Sequence, residues 1–506
     1  MNNNTKAKFK KTTNKIRSAQ VKNSNPRNYW NKRGKVGSRG KVSLSSEDKD
    51  KKDEFKQAMR DLEEGDKYYS LDPLYYEYAV EPYIRANKFN PNNALLNYKL
   101  GICLLSSAYK TKAAPYLEKA YALNPGVGTE IHYYMGRAYH LNKEWEKAIK
   151  EYKAQLAVTD ASKLQDKVEE LNKKISECSN GQELMKKPVR VFIDNIGTAI
   201  NSAYRDYAPV ITADESVMMF TSRRGETKKS EPDPTTNEYF EDIFVSTRVD
   251  GKWTPARNMG DPVNETNHHD ASIGLNADGS VLLIYLDDET KGSGNIYQCK
   301  QKGLTWSKPQ KLDKNINSDA HESSASLSAD GKTLYFVSNR KEGNFGQHDI
   351  FKSTLDAKGR WTEAVNLGTA INTKYDEDFV FIHPDGKTLY FSSRGHKTMG
   401  EYDVFKSVWD DKMQKWSAAE NLGYPVNGPD DDVFFVLSAS GKHGYYASFN
   451  PDGYGKHDIY MITFLGPEKP PVLNTEDNLL ASLTAPVKET VIAPSVVVTE
   501  AQLTIL

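Results

Sequence analysis

The sequence predicts a two-part α plus all-β molecule: an α-solenoid of paired helices over residues 46–185, then a five-bladed β-propeller over 186–466. Three observations predict it. A unit of short alternating strands recurs five times at a step of about 53 to 55 residues, which marks propeller blades rather than one sandwich. An Asn-Pro pair recurs at Asn90-Pro91 and Asn124-Pro125, 34 residues apart, in a region of helical apolar spacing. The two ends of the strand region also complement each other, as a closed ring requires.

The strand unit is clearest over 317–368, which reads N-x4-E-x3-L-S-A-D-G-K-T-L-Y-F-V-S-N-R, a polar loop, H-D-I-F-K-S, a turn and G-R-W-T-E-A-V-N-L-G. Alternating runs at 333–338 and 349–353, set off by an Asp-Gly turn and Gly/Asn-rich loops, predict antiparallel strands. Turns at Asp278, Asp330, Asp385 and Ser440 repeat at steps of 52, 55 and 55 residues. The D-[IV]-[FY] strand starts at Asp242, Asp349, Asp403 and Asp458, with Asn295 in the second unit, and tryptophans stand at Trp253, Trp306, Trp361 and Trp416. The fifth unit stops at Phe464 without its W-x4-N-L-G strand, whereas 189–197 carries D-N-I-G before T-A-I-N. The N-terminal segment is therefore expected to complete the last blade and remove the exposed edge.

Between the Asn-Pro marks the residues fit the tetratricopeptide pattern, in which small residues let paired helices approach. Leu100-Gly101, Leu104, Ala113, Leu117, Ala120 and Pro125 form one copy; Met135-Gly136, Tyr139, Ala148 and Tyr152 the next. An earlier copy has Gly65, Ala79, Tyr83, Ala86 and Pro91. A capping helix is expected over 161–178, with Leu164, Val168, Leu171 and Ile175 on its apolar face.

Lys+Arg and Asp+Glu both number 68, so net charge points to neither nucleic acid nor an acidic tail. The imbalance is local: residues 1–45 are basic and Asn-rich without one acid, and are expected to be a disordered, solvated leader or tether, with an arm for nucleic acid or a membrane surface as the alternative. No apolar stretch reaches the roughly 18 residues of a membrane helix, and no apolar run follows Met1 as in an export signal. Cys103, Cys178 and Cys299 are isolated and predict neither zinc site nor disulfide; Cys103 is expected in a helical core. Residues 467–506 read as a Pro/Thr/Ala-containing linker and an extended apolar strand over 496–506.

Catalysis needs a nucleophile beside a base, or a metal with an open position. The sequence has no G-x-S-x-G, H-E-x-x-H or phosphate-binding loop, so no catalytic residue, metal or cofactor is assigned. His348-Asp349 and His457-Asp458 recur at one blade position, with Tyr402-Asp403 beside them, which favours a structural turn over an acid/base pair. His268-His269-Asp270 is the one histidine cluster. Eight residues before the turns at Asp214, Asp278, Asp330, Asp385 and Ser440 stand Asp206, Asp270, Glu322, Glu377 and Asp432. Such a ring either accepts backbone N–H bonds within each blade or focuses a negative field on a cation or a Lys/Arg-bearing partner. Tyr98, Tyr133 and Tyr134, within a tyrosine-rich helical region, either pack between helices or line a peptide groove.

Helix pairs followed by D-G-K-T-L-Y-F-[VS]-S-[NR] and D-[IV]-[FY] blades resemble the TolB-type, WD-like propeller proteins of the Bacteroidota cell envelope. The resemblance covers 46–506. It implies a non-enzymatic periplasmic scaffold whose protein partners belong to an outer-membrane-associated secretion or gliding machine. Members commonly continue into a carboxypeptidase-regulatory-like β domain and an OmpA-like domain. Residues 496–506 resemble the opening strand of the former; the latter, and with it any peptidoglycan contact, is missing here, as is an export signal, so a fragment or a short paralogue is expected. A cytoplasmic adaptor and a propeller-containing hydrolase fragment are the alternatives.

Overall fold

The computed structural model describes residues 46–225, 232–233, 238–264, 269–288, 293–448 and 453–466; the basic arm, the segment beyond Gly466 and His268 lie outside them. Seven α-helices come first among the described residues, arranged as antiparallel neighbours: α1 (Ser46–Tyr69) with α2 (Tyr76–Phe89), α3 (Ala94–Leu105) with α4 (Ala114–Leu123), α5 (Ile131–Leu141) with α6 (Trp145–Val158), then α7 (Gln165–Met185). Each pair closes on the same kind of contact. A Cβ added at Gly65, Gly101 or Gly136 would stand 2.4, 2.5 or 2.7 Å from Tyr83, Leu117 or Tyr152, so the large residue of one helix fills the gap left by the glycine of its partner. Ala79, Leu100, Cys103, Ala113, Ala120 and Ala148 complete the core. The last helix departs from expectation: it begins at Gln165, leaves Leu164 exposed, and runs on to Met185. Gly181 explains the extension, because its bare backbone admits the Trp145 ring.

The strands form five antiparallel sheets whose innermost strands, Asp206–Ile211, Asp270–Leu275, Glu322–Leu327, Glu377–Ile382 and Val433–Leu437, neighbour one another around a closed ring. The fifth blade takes its outer strand from Val191–Asn195, which pairs antiparallel with Asp458–Phe464, Val191 opposite Phe464 and Asn195 opposite Tyr460. Hydrophobic clusters lie between successive blades, and stacked pairs Phe220/Phe244, Phe336/Phe351 and Phe391/Phe405 sit fully or almost fully buried within them.

Polar side chains fix the links from blade to blade. Asn201, Asn264, Asn317, Asn372 and Asn427 are all buried. Each side-chain amide accepts from and donates to one backbone unit of the preceding blade's third strand: Ile459, Ile243, Ile296, Ile350 and Val404. The asparagine oxygen serves the N–H of each unit, and its amide shares the C=O with the backbone N–H of Ile196, Met259, Leu312, Leu367 or Leu422. The Asp of the D-[IV]-[FY] strand feeds the same network: Asp349, Asp403 and Asp458 accept from Asn366, Asn421 and Asn195.

Candidate functional site

All five innermost strands run the same way, so their first residues surround one mouth of the channel. The acids singled out in the sequence stand there, each fully buried or nearly so. Asp206 accepts from Ser202 N and Oγ (2.6 and 2.7 Å) and from Arg224 Nη2 (2.5 Å). Glu322 accepts from Ser318 N and Oγ, Ser338 Oγ and Arg340. Glu377 accepts from Thr373 N and Oγ1 and from Ser393 Oγ, and Asp432 from Gly428 N. In these four blades the acid thus ties the residue four positions before it, a lock on the entry to each inner strand. The fifth member, Asp270, is buried at the equivalent place.

A second layer faces the mouth above these locks. It consists of the residue before each acid (Arg205, His269, His321, Asp376, Asp431) and the residue before the third strand of the preceding blade (His457, Glu241, His348 and Tyr402 among them). Backbone bonds join the two series across blades: Asp206 N to His457 O, Asp270 N to Glu241 O, Glu377 N to His348 O, and Asp432 N to Tyr402 O. The side chains consequently meet in pairs. His348 Nδ1 lies 2.9 Å from Asp376, whose hydrogen bond raises the imidazole's pKa, while His269 is raised by Glu241. Burial opposes ionisation of Glu241, but His269, Arg223 and Tyr207 hold it down to about 2. His321, against Tyr285 and 5.7 Å from the His348 ring, is lowered by burial and then by that neighbour; His457 is pushed down to about 4 by burial and then by Arg205. The belt therefore sets imidazoles shifted toward the charged form, His348 and His269, beside imidazoles shifted toward the neutral form, His321 and His457. His269 lies 3.5 Å from both Glu241 and Asp233, but among the described residues neither these three nor any other group of His, Cys, Asp and Glu is placed to hold a metal ion.

The channel is closed just below. Ala208, Phe379 and Phe434, each two residues after a lock acid, have φ of +50, +53 and +59° at the register shifts of their strands. Such backbone costs about 1–3 kcal/mol per residue, and here it accompanies two rings, Phe379 and Phe434, whose centroids stand 3.9 Å apart. The cavity among the inner strands is about 30 Å³, room for one or two waters.

The helices sit on this same face. His140 Nε2 donates to the Met399 carbonyl (2.9 Å) and Asn180 Nδ2 to the Thr398 carbonyl (2.8 Å). Lys174 Nζ donates to Glu401 (2.8 Å), with Arg137 at 3.6 Å and Arg394 on the other oxygen. Burial works against this carboxylate, yet Lys174, Arg137 and Arg394 hold its pKa far below the usual range. Lys110–Asp430, Lys374–Glu169 and Lys456–Glu77 pairs surround the contact. The structure also brings the three candidate tyrosines together: the Tyr98 and Tyr134 rings lie 6.0 Å apart and Tyr133 and Tyr134 5.4 Å apart, half-buried beside the core. Tyr133 donates to Glu170 and carries Lys167 over its ring. Arg137 is the next turn of the same helix, so the tyrosine face runs directly into the pocket that holds Glu401.

No protein-family model and no curated protein matches the chain. Among solved structures it is similar to a putative TolB from Agrobacterium tumefaciens, at 18% identity over 52% of this chain and 79% of that one, with a TM-score of 0.33. The β-propeller domain of the Trilobed protease from Pyrococcus furiosus aligns at 11% identity over 51% and 68%, TM-score 0.25. A GH43 β-xylosidase/α-arabinofuranosidase from a compost microbial metagenome aligns at 11% over 55% and 94%, TM-score 0.35. The five-bladed fold itself stands on the strand pairing described above.

Proposed function

We propose that this chain is a non-enzymatic protein-binding scaffold of the cell envelope, with tetratricopeptide-type helix pairs and a TolB-like propeller each holding a partner. In this reading it works in the periplasm at an outer-membrane-associated machine of the type IX secretion and gliding kind, in the manner of the PorE component that its blade motifs resemble. The observation that carries the binding role is the mouth face: a belt of paired His, Asp, Glu, Arg and Tyr side chains over a channel closed by Phe379 and Phe434. Such a surface can recognise a partner but passes nothing through. Fractionation of the native host with in-cell cross-linking tests the reading. The tagged chain is expected in the envelope fraction, cross-linked to outer-membrane-associated proteins; recovery wholly from the cytosol, without such adducts, overturns it.

A further inference from the structure

The loop that enters the helices is one of three built alike. Before the third strand, blades 3, 4 and 5 read Phe345-Gly346-Gln347-His348-Asp349, Met399-Gly400-Glu401-Tyr402-Asp403 and Tyr454-Gly455-Lys456-His457-Asp458. In each, the Asp carboxylate accepts from the backbone N–H of the apolar residue (2.7, 2.8 and 2.6 Å) and of the glycine (3.2, 3.1 and 3.0 Å). The glycine is obligatory, since a Cβ would meet a backbone oxygen of the next blade at 2.2, 2.5 or 2.0 Å. The result is a rigid turn that thrusts one apolar side chain away from the propeller. Phe345 and Tyr454 are 51% and 52% exposed, whereas Met399, on the same backbone, is 0% exposed and belongs to the helical core. The helices meet every part of the blade-4 turn: an apolar socket for Met399, donors for the Thr398 and Met399 carbonyls, and two cations for Glu401.

We infer that helices α5 and α7 form a binding site for an apolar-Gly-acid turn on a partner protein, and that the blade-4 turn is an intramolecular occupant which such a partner displaces. The occupant defines the ligand chemistry: an unbranched apolar side chain, a glycine that lets the chain turn closely, then a carboxylate, pinned by an Asp two residues later. Preorganisation of that turn removes ordering cost from binding. The inference deepens the scaffold reading by naming what the helices hold, yet it does not depend on location: a cytosolic chain would sink the envelope role and leave this site standing.

The probe is a fluorescent peptide of residues 396–403, added to the full chain and followed by polarisation. The tethered loop competes at a concentration in the millimolar range, so wild type should bind weakly. The Met399→Asp chain should bind at least tenfold more tightly; Glu401→Gln, which keeps the loop's shape should the first fail to fold, should bind about threefold more tightly. A peptide with Lys in place of its Glu should lose binding tenfold, and Lys174→Glu in the Met399→Asp chain should exchange that preference. No gain in either variant, or equal binding of the Glu and Lys peptides, overturns the proposal and leaves the contact as fixed glue between two bodies.

Discussion

Glu377 differs from its counterparts in what lies beside it. Arg224 and Arg340 each cover a stacked Phe pair and reach the lock acid of their blade, Asp206 or Glu322. In blade 4 His396 takes that place over Phe391 and Phe405 and donates to the Ile371 carbonyl, so no cation among the described residues reaches Glu377. Burial then pushes Glu377 up to about 7 despite its three donors. An unfolded chain would release this proton near the ordinary value of 4.5, so between 4.5 and about 7 the folded state holds more protons. Stability from this group is full below 4.5 and is lost as pH rises through 7, by roughly 3 kcal/mol. Urea midpoints from pH 5 to 8 should therefore fall less in Glu377→Gln than in wild type; parallel profiles would refute the assignment. The acids were legible because a fixed count from each turn found them. The asparagine clips were not, since an Asn in a loop reads as an ordinary turn former. Their one signal was recurrence five residues ahead of the acid in four blades.

The elements split in the same way between what a pattern announces and what a contact decides. Strand 333–338 follows directly from alternation beside an Asp-Gly turn, and the helix pairs from their glycines. The bulges that place Phe379 and Phe434 across the axis are invisible in sequence, because nothing in a Phe predicts a left-handed backbone. The last helix differs from its sequence pattern at both ends because its register is set by Trp145 against Gly181, a contact between elements. Gly101 tests the helix-pair packing itself. A side chain there meets Leu117 Cγ at 2.5 Å, so Gly101→Leu should destabilise by about 1–3 kcal/mol through overpacking. The lower melting temperature should come with earlier loss of helical circular dichroism; an unchanged curve would mean that α3 and α4 can separate at no cost.

For the whole molecule, ring closure was legible because N-terminal and C-terminal fragments of one motif add to one copy. The docking of helices on the propeller was not: Lys174 and Glu401 lie 227 residues apart, and ion pairs carry no periodicity. Closure makes a direct prediction. A chain beginning at residue 186 keeps the strand Val191–Asn195 and should remain a monomer with cooperative unfolding; one beginning at 198 exposes the edge of Asp458–Phe464 and should oligomerise or unfold. Equal behaviour in sedimentation and melting would refute the role of that strand. The same seam has a mechanical side. Val191 lies opposite Phe464, and Leu465 N donates to the Arg190 carbonyl, so the connection to the helices and the chain past Gly466 leave the disc at one corner. Tension between them would act across the ladder and part its bonds one after another, as a zip opens, instead of loading all of them in shear. Under load between its two ends, this propeller should yield first at blade 5, at low force, and reseal when released.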